Sequence, residues 1–118
     1  MSNNKDFLVN GPVVIGKDTK VTVGSITSSD IDLSTGNYFD DTLAANTTYT
    51  ISNAGDVQAF QLEVTGASTY TITWPSSIEW AGGVAPSAPA NGETDVFTFT
   101  TDDGGTSYVG VKTADNLS

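Results

Sequence analysis

Apolar and polar residues trade places at every second position through much of this chain, a period that strands satisfy and helices do not. Phe60, Leu62 and Val64 alternate with Gln61, Glu63 and Thr65, and Tyr70, Ile72 and Trp74 alternate with Thr69, Thr71 and Thr73. Tyr49 and Ile51 sit between Thr48, Thr50 and Ser52, Phe97 and Phe99 share a face, and Val109 and Val111 share a face further on. No apolar i, i+3, i+4 pattern persists for three helical turns, while Thr, Val and Ile recur throughout. That mixture fits a pleated surface with one wet side.

Turn chemistry separates these runs. Gly66-Ala67-Ser68 lies between the Phe60 and Tyr70 runs and predicts a hairpin joining them. Asn53-Ala54-Gly55-Asp56 turns the chain into the Phe60 run. Pro75 ends a strand because it cannot donate to a ladder, and Gly82-Gly83 allow a turn where a Cβ would clash. Asp102-Asp103-Gly104-Gly105, between two β-rich runs, is a hairpin signal. Turn signals spaced about 8–12 residues apart predict an all-β fold, an antiparallel β-sandwich of jelly-roll-like form. At 118 residues there is one domain and one modest core.

Residues 1–24 read differently, as an extended N-terminal arm ahead of a sandwich domain over 25–118. Two apolar bursts, Phe7-Leu8-Val9 and Val13-Val14-Ile15, flank Asn10-Gly11-Pro12, which breaks any long strand. A polar start of this kind frays unless something holds it. The expectation is an arm laid against another chain, with Phe7, Leu8, Val9, Val13, Val14 and Ile15 as its contact residues.

Charge narrows the function. The cations are Lys5, Lys17, Lys20 and Lys112, with no arginine or histidine. From Val21 to Val111 no side chain is positive, whereas eleven are acidic. Burial and backbone pairing, rather than salt bridges, must hold that interval together. The same interval repels phosphate backbones, so nucleic acid is not a partner. The sequence shows no secretory signal and no membrane span, and reads as a soluble product of a cytoplasm, complete from Met1 to its last strand. Without cysteine there is no disulfide framework or thiolate metal site.

Catalysis finds few parts. Acyl-transfer triads need a base, and histidine and cysteine are both missing. Adjacent carboxylates such as Asp40-Asp41 and Asp102-Asp103 point to opposite faces if they lie on strands, which is wrong for glycoside hydrolysis. The reading is therefore a protein that is not an enzyme. Asp30-Ile31-Asp32 and Asp102-Asp103-Gly104 offer oxygen ligands for calcium, but neither follows the twelve-residue loop pattern. Asx-type turns account for them, so no metal or cofactor is assigned. Trp74 and Trp80 fit either a sugar-stacking platform or packing, Trp74 capping the core and Trp80 lying on Pro86. Trp80, between Glu79 and Ala81-Gly82-Gly83, is expected to be the more exposed. With Asp102 and Asp103 it forms the candidate set of exposed-loop contacts. Asn46-Thr47-Thr48 and Asn116-Leu117-Ser118 match a glycosylation acceptor by coincidence.

The order of these elements resembles a small β module that recurs in virion proteins of tailed bacteriophages, especially tail-fibre and other particle-surface components. The likeness rests on the Thr-rich run ending in Trp74-Pro75, then Trp80 followed by Gly82-Gly83 and Ala85-Pro86. Asp95-Val96-Phe97-Thr98-Phe99 and the turn Asp103-Gly104-Gly105-Thr106 complete it, and the likeness extends upstream to Leu33. The resemblance implies a virion structural role and carries no site residues. Joined to the arm, it leads to a capsid decoration (cement) protein at the virion surface, contacting the major capsid protein or other virion proteins. Such copies are expected to group as homo-oligomers, trimers foremost. The rival expectation is a tail-fibre or spike component that binds host glycans.

Overall fold

The computed structural model describes residues 21–117. They form ten strands in chain order: β1 (Ile26–Thr27), β2 (Asp30–Asp32), β3 (Tyr38–Thr42), β4 (Thr47–Thr48), β5 (Thr50–Ser52), β6 (Gln58–Thr65), β7 (Ile72–Thr73), β8 (Ile78–Trp80), β9 (Thr94–Thr101) and β10 (Tyr108–Leu117). β3, β6, β9, β10 and β8 make a five-stranded sheet in that order, β1, β2 and β5 a three-stranded sheet, and β4 and β7 a pair. The body is all-β with several sheets, as a sandwich requires.

The antiparallel expectation needs correcting. β3 with β6, β8 with β10, β2 with β5, and β4 with β7 all run parallel. Parallel neighbours need a crossover between them. Here the chain leaves the five-stranded sheet after β3, lays down β4 and β5 elsewhere, and returns as β6. Repeated exchange between sheets produces the mixed directions.

The hairpin predicted across Gly66-Ala67-Ser68 is also absent. β6 instead pairs along its whole length with β9, from Gln58↔Thr101 to Thr65↔Thr94. Gly66 extends that ladder, donating to Glu93 O at 2.8 Å and accepting from Gly92 N at 3.0 Å. It is a pairing residue, and β7 pairs with β4 instead. The Asp102–Gly105 turn does join β9 to an antiparallel β10.

Alternation decides which side of the large sheet is buried. Phe39, Phe60, Leu62, Val64, Phe97, Phe99 and Tyr108 enter the core with Ile31, Leu33, Leu43 and Tyr49. Phe60 stacks on Phe99 with centroids 4.9 Å apart, and Phe39 meets Phe60 edge-on at 5.9 Å. Val109 and Val111 do share a face, but it is the outer one, since Tyr108 and Gly110 point inward. A Cβ on Gly110 would lie 2.8–3.0 Å from Ile78, Phe99 and Trp80, so only glycine lets Trp80 settle there.

Residues 22–24 belong to this body rather than to a separate arm. Val23 bridges Tyr38 in parallel, Gly24 N donates to Tyr38 O at 2.8 Å, and Tyr38 N donates to Thr22 O at 3.1 Å. The arm residues Phe7, Leu8, Val9, Val13, Val14 and Ile15 lie outside the described residues.

Candidate functional site

Two tryptophans shape a broad hollow. Trp74 follows β7 and its Nε1 donates to Pro86 O at 3.3 Å, drawing the Ala85–Ala88 stretch toward it. Trp80 ends β8, whose parallel pairing sets it opposite Gly110. The two indoles meet edge-on at 5.1 Å, and Trp74 reaches Phe97 at 4.9 Å and Trp80 reaches Phe99 at 5.5 Å. Trp80 is thus half-buried against the core at the end of a strand, and the indole hydrogen bond to the Pro86 segment comes from Trp74. Beside them opens a groove of about 670 Å³ lined by Tyr70, Ile72, Trp74, Trp80, Pro86 and Ala88 among others. Among the described residues no carboxylate or ammonium lines it, and its polar groups include the hydroxyls of Thr71, Thr73, Ser76 and Ser87. Such a lining accepts apolar or neutral groups and offers no general base.

The other predicted loop residues lie elsewhere. Neither Asp102 nor Asp103 lines this groove. Asp103 is committed to its own turn: Oδ1 accepts from Thr101 Oγ1 at 2.8 Å and Ser107 N at 2.9 Å, and Oδ2 accepts from Ser107 Oγ at 2.7 Å. Those donors, Ser107 foremost, hold its carboxyl down to about 2. Asp102 is exposed.

Other acids are engaged in the same way. Asp30 accepts from Thr50 and Ser52 hydroxyls at 2.6 Å each, which ties β2 to β5. Asp32 Oδ1 accepts from Ser34 and from Asn53 Nδ2, and these bonds lower its pKa. Asp41 Oδ2 accepts from Tyr49 Oη at 2.6 Å, while burial and this bond push the phenol well above its ordinary value. Among the described residues no three acidic side chains gather as a metal site would need.

A second surface escaped the sequence reading. On the outer face of the five-stranded sheet, Ala59 pairs with Thr100 and Thr100 with Val109. Val57, at 76 % exposure, and Val109, at 55 %, border a shallow hollow of about 420 Å³ there. Alongside, Gln61 Nε2 donates to Thr98 Oγ1 at 3.3 Å, and Thr98 and Thr113 hydroxyls meet at 3.2 Å. The signal was present in Tyr108-Val109-Gly110-Val111, because an aromatic and a glycine at alternate positions mark the side that faces other rings.

Comparison with protein-family models, curated proteins and solved structures finds no match for this chain.

The titratable groups set a stability profile. Tyr49, Tyr108 and Lys112 have raised values. For Tyr49 and Tyr108 burial is the main cause. Burial would lower Lys112, but its bond to Asp115 and the charges of Asp95 and Asp115 outweigh that. What these groups contribute is full below their ordinary values, 10.0 and 10.5, and is lost as pH rises through the folded ones. Asp32, Asp103 and Asp115 are lowered, so theirs is full above 3.8 and is lost as pH falls through the folded values, toward 2 for Asp103. Urea midpoints are expected to plateau between about pH 5 and 9 and to fall on both sides. Asp103→Asn should flatten the acid limb, and an unchanged limb would contradict this role.

Proposed function

We propose that this chain is a non-enzymatic structural protein of a bacteriophage virion, placed on the particle surface as a capsid decoration protein. The observation that carries the reading is the deployment of side chains. Carboxylates at Asp30, Asp32, Asp41 and Asp103 serve as internal hydrogen-bond acceptors, while an uncovered sheet face and an aromatic groove remain for contact. The resemblance over Leu33–Gly110 supplies the virion context. A sandwich-like body, jelly-roll-like in outline, would stand out from the shell with the N-terminal residues on the major capsid protein. Its excess of acids would keep particles apart. Copies would group as homo-oligomers, trimers foremost.

The tail-fibre reading keeps one supporting observation, the uncharged groove of Trp74 and Trp80, which suits a neutral host glycan better than an anionic one. Locating the chain's density in intact virions separates the two. Copy number matching the capsid lattice supports decoration, and copies confined to tail appendages overturn it. Removing residues 1–20, which leaves the described core whole, is expected to abolish binding to mature heads. Undiminished binding would refute the anchoring role.

A further inference from the structure

Among the described residues, the five-stranded sheet has one edge that is only partly filled. β3 pairs with β6 through its odd-numbered residues: Gln61 N donates to Asn37 O at 3.1 Å, and Leu43 N donates to Thr65 O at 3.0 Å. In a parallel ladder the intervening residues turn their backbone groups the other way. Those of Tyr38 are taken by Thr22 and Gly24. Those of Asp40 and Thr42 therefore face outward at the end of the sheet, where no described strand follows. An unfilled edge is a template for another strand.

We infer that this Asp40–Thr42 edge receives the Val13–Ile15 segment of a second copy of the chain. Charge favours that occupant. Residues 21–117 carry twelve acids and one lysine, and exposed Asp40 stands at this edge with Glu63 beside it on β6, whereas residues 1–20 carry three lysines and two acids. Lys17 and Lys20 follow Ile15 closely enough to lie over those carboxylates as it pairs. Such rim pairs guide and select the partner more than they deepen affinity. The segment itself is β-branched throughout, bounded by Pro12 and Gly16.

Direction favours a second copy over the chain's own segment. Residues 22–24 run parallel to β3 and reach it at Tyr38, with Thr22 O accepting from Asn37 N, so the described chain meets this edge at the end opposite Thr42. A chain filling its own edge must double back past a place already occupied. One filling its neighbour's need not. The exchange uses Val13–Ile15 and leaves the Phe7-Leu8-Val9 burst for a capsid, and because it needs no capsid its failure is distinct from that of the decoration reading.

The absence of cysteine allows a clean test in the full-length chain. Thr42→Cys chains are mixed with isotopically labelled chains bearing Val13→Cys or Val14→Cys, since adjacent strand residues face opposite ways. After oxidation, one mixture is expected to be enriched in the mixed disulfide over both homodimers. Amide exchange at Asp40 and Thr42 in the unmodified chain should slow at least tenfold as concentration rises, in step with the mass from light scattering. A chain carrying both thiols that closes on itself at a concentration-independent rate would show self-docking and overturn the exchange. Free exchange at both amides in a persistently monomeric chain would overturn it as well.

Discussion

Phe99→Ala is expected to lower the unfolding free energy by about 4 kcal/mol, in the range for phenylalanine-to-alanine changes in cores. Phe99 is 1 % exposed at the centre of β9 and touches four other rings: Phe60 at 4.9 Å, Trp80 at 5.5 Å, Trp74 at 5.9 Å and Phe97 at 6.5 Å. Gly110 lies across the ladder and leaves no side chain to fall into the void. Domains of this size hold only about 5–15 kcal/mol in all, so the melting temperature should fall by roughly 15 °C. Urea denaturation is the measurement, with the slope unchanged if only the folded state is affected. Val109→Ala, on the opposite face of the same sheet, should cost no more than about 0.5 kcal/mol. A Phe99 loss under about 1.5 kcal/mol, or equal losses at both sites, would contradict the placement of the core.

That contrast shows what was legible in the sequence. Alternation identified Phe60, Leu62, Val64, Phe97 and Phe99 as inward residues because period two is local and belongs to each strand alone. The Asp102–Gly105 hairpin was equally legible, its turn being short and chemically distinctive. Strand partners were not. Gly66 looks like a turn glycine in sequence, yet pairs with Gly92 and Glu93 across a long excursion through β7 and β8. The β1–β2 hairpin was hidden for another reason: Ser28 and Ser29 hold positive φ values of 52° and 65° where Asn-Gly would announce the turn.

The candidate site divides along the same line. That Trp74 packs on the core follows from its place at the end of the Tyr70–Ile72–Trp74 alternation. Trp74 and Trp80 are both partly buried, and what seats Trp80 is a parallel pairing with β10 and a glycine thirty positions away, neither of which its neighbours reveal. Asp103 kept its turn role, but its three donors come from Thr101 and Ser107, and only the closed turn brings those together.

Lys112→Met is expected to cost about 3 kcal/mol, an effect of the size seen when a buried charge loses its partner. Lys112 is the single cation of residues 21–117, one position beyond the interval that the sequence marks as free of positive charge. Asp95, only 1 % exposed, sits on the inner side of β9 opposite Val64. Its Oδ1 accepts from Asn116 N at 2.9 Å, and Lys112 Nζ stands 3.5 Å from its Oδ2 and 3.1 Å from Asp115 Oδ1. Without the ammonium, Asp95 keeps one backbone donor and no counter-charge. Asp115→Asn, at the exposed end of the triad, should change stability by less than about 1 kcal/mol. Asp95→Asn combined with Lys112→Met should recover over 1 kcal/mol relative to the sum of the single changes, because a neutral amide needs no cation. Additive losses in that cycle would show that Lys112 acts through its methylene stem rather than its charge.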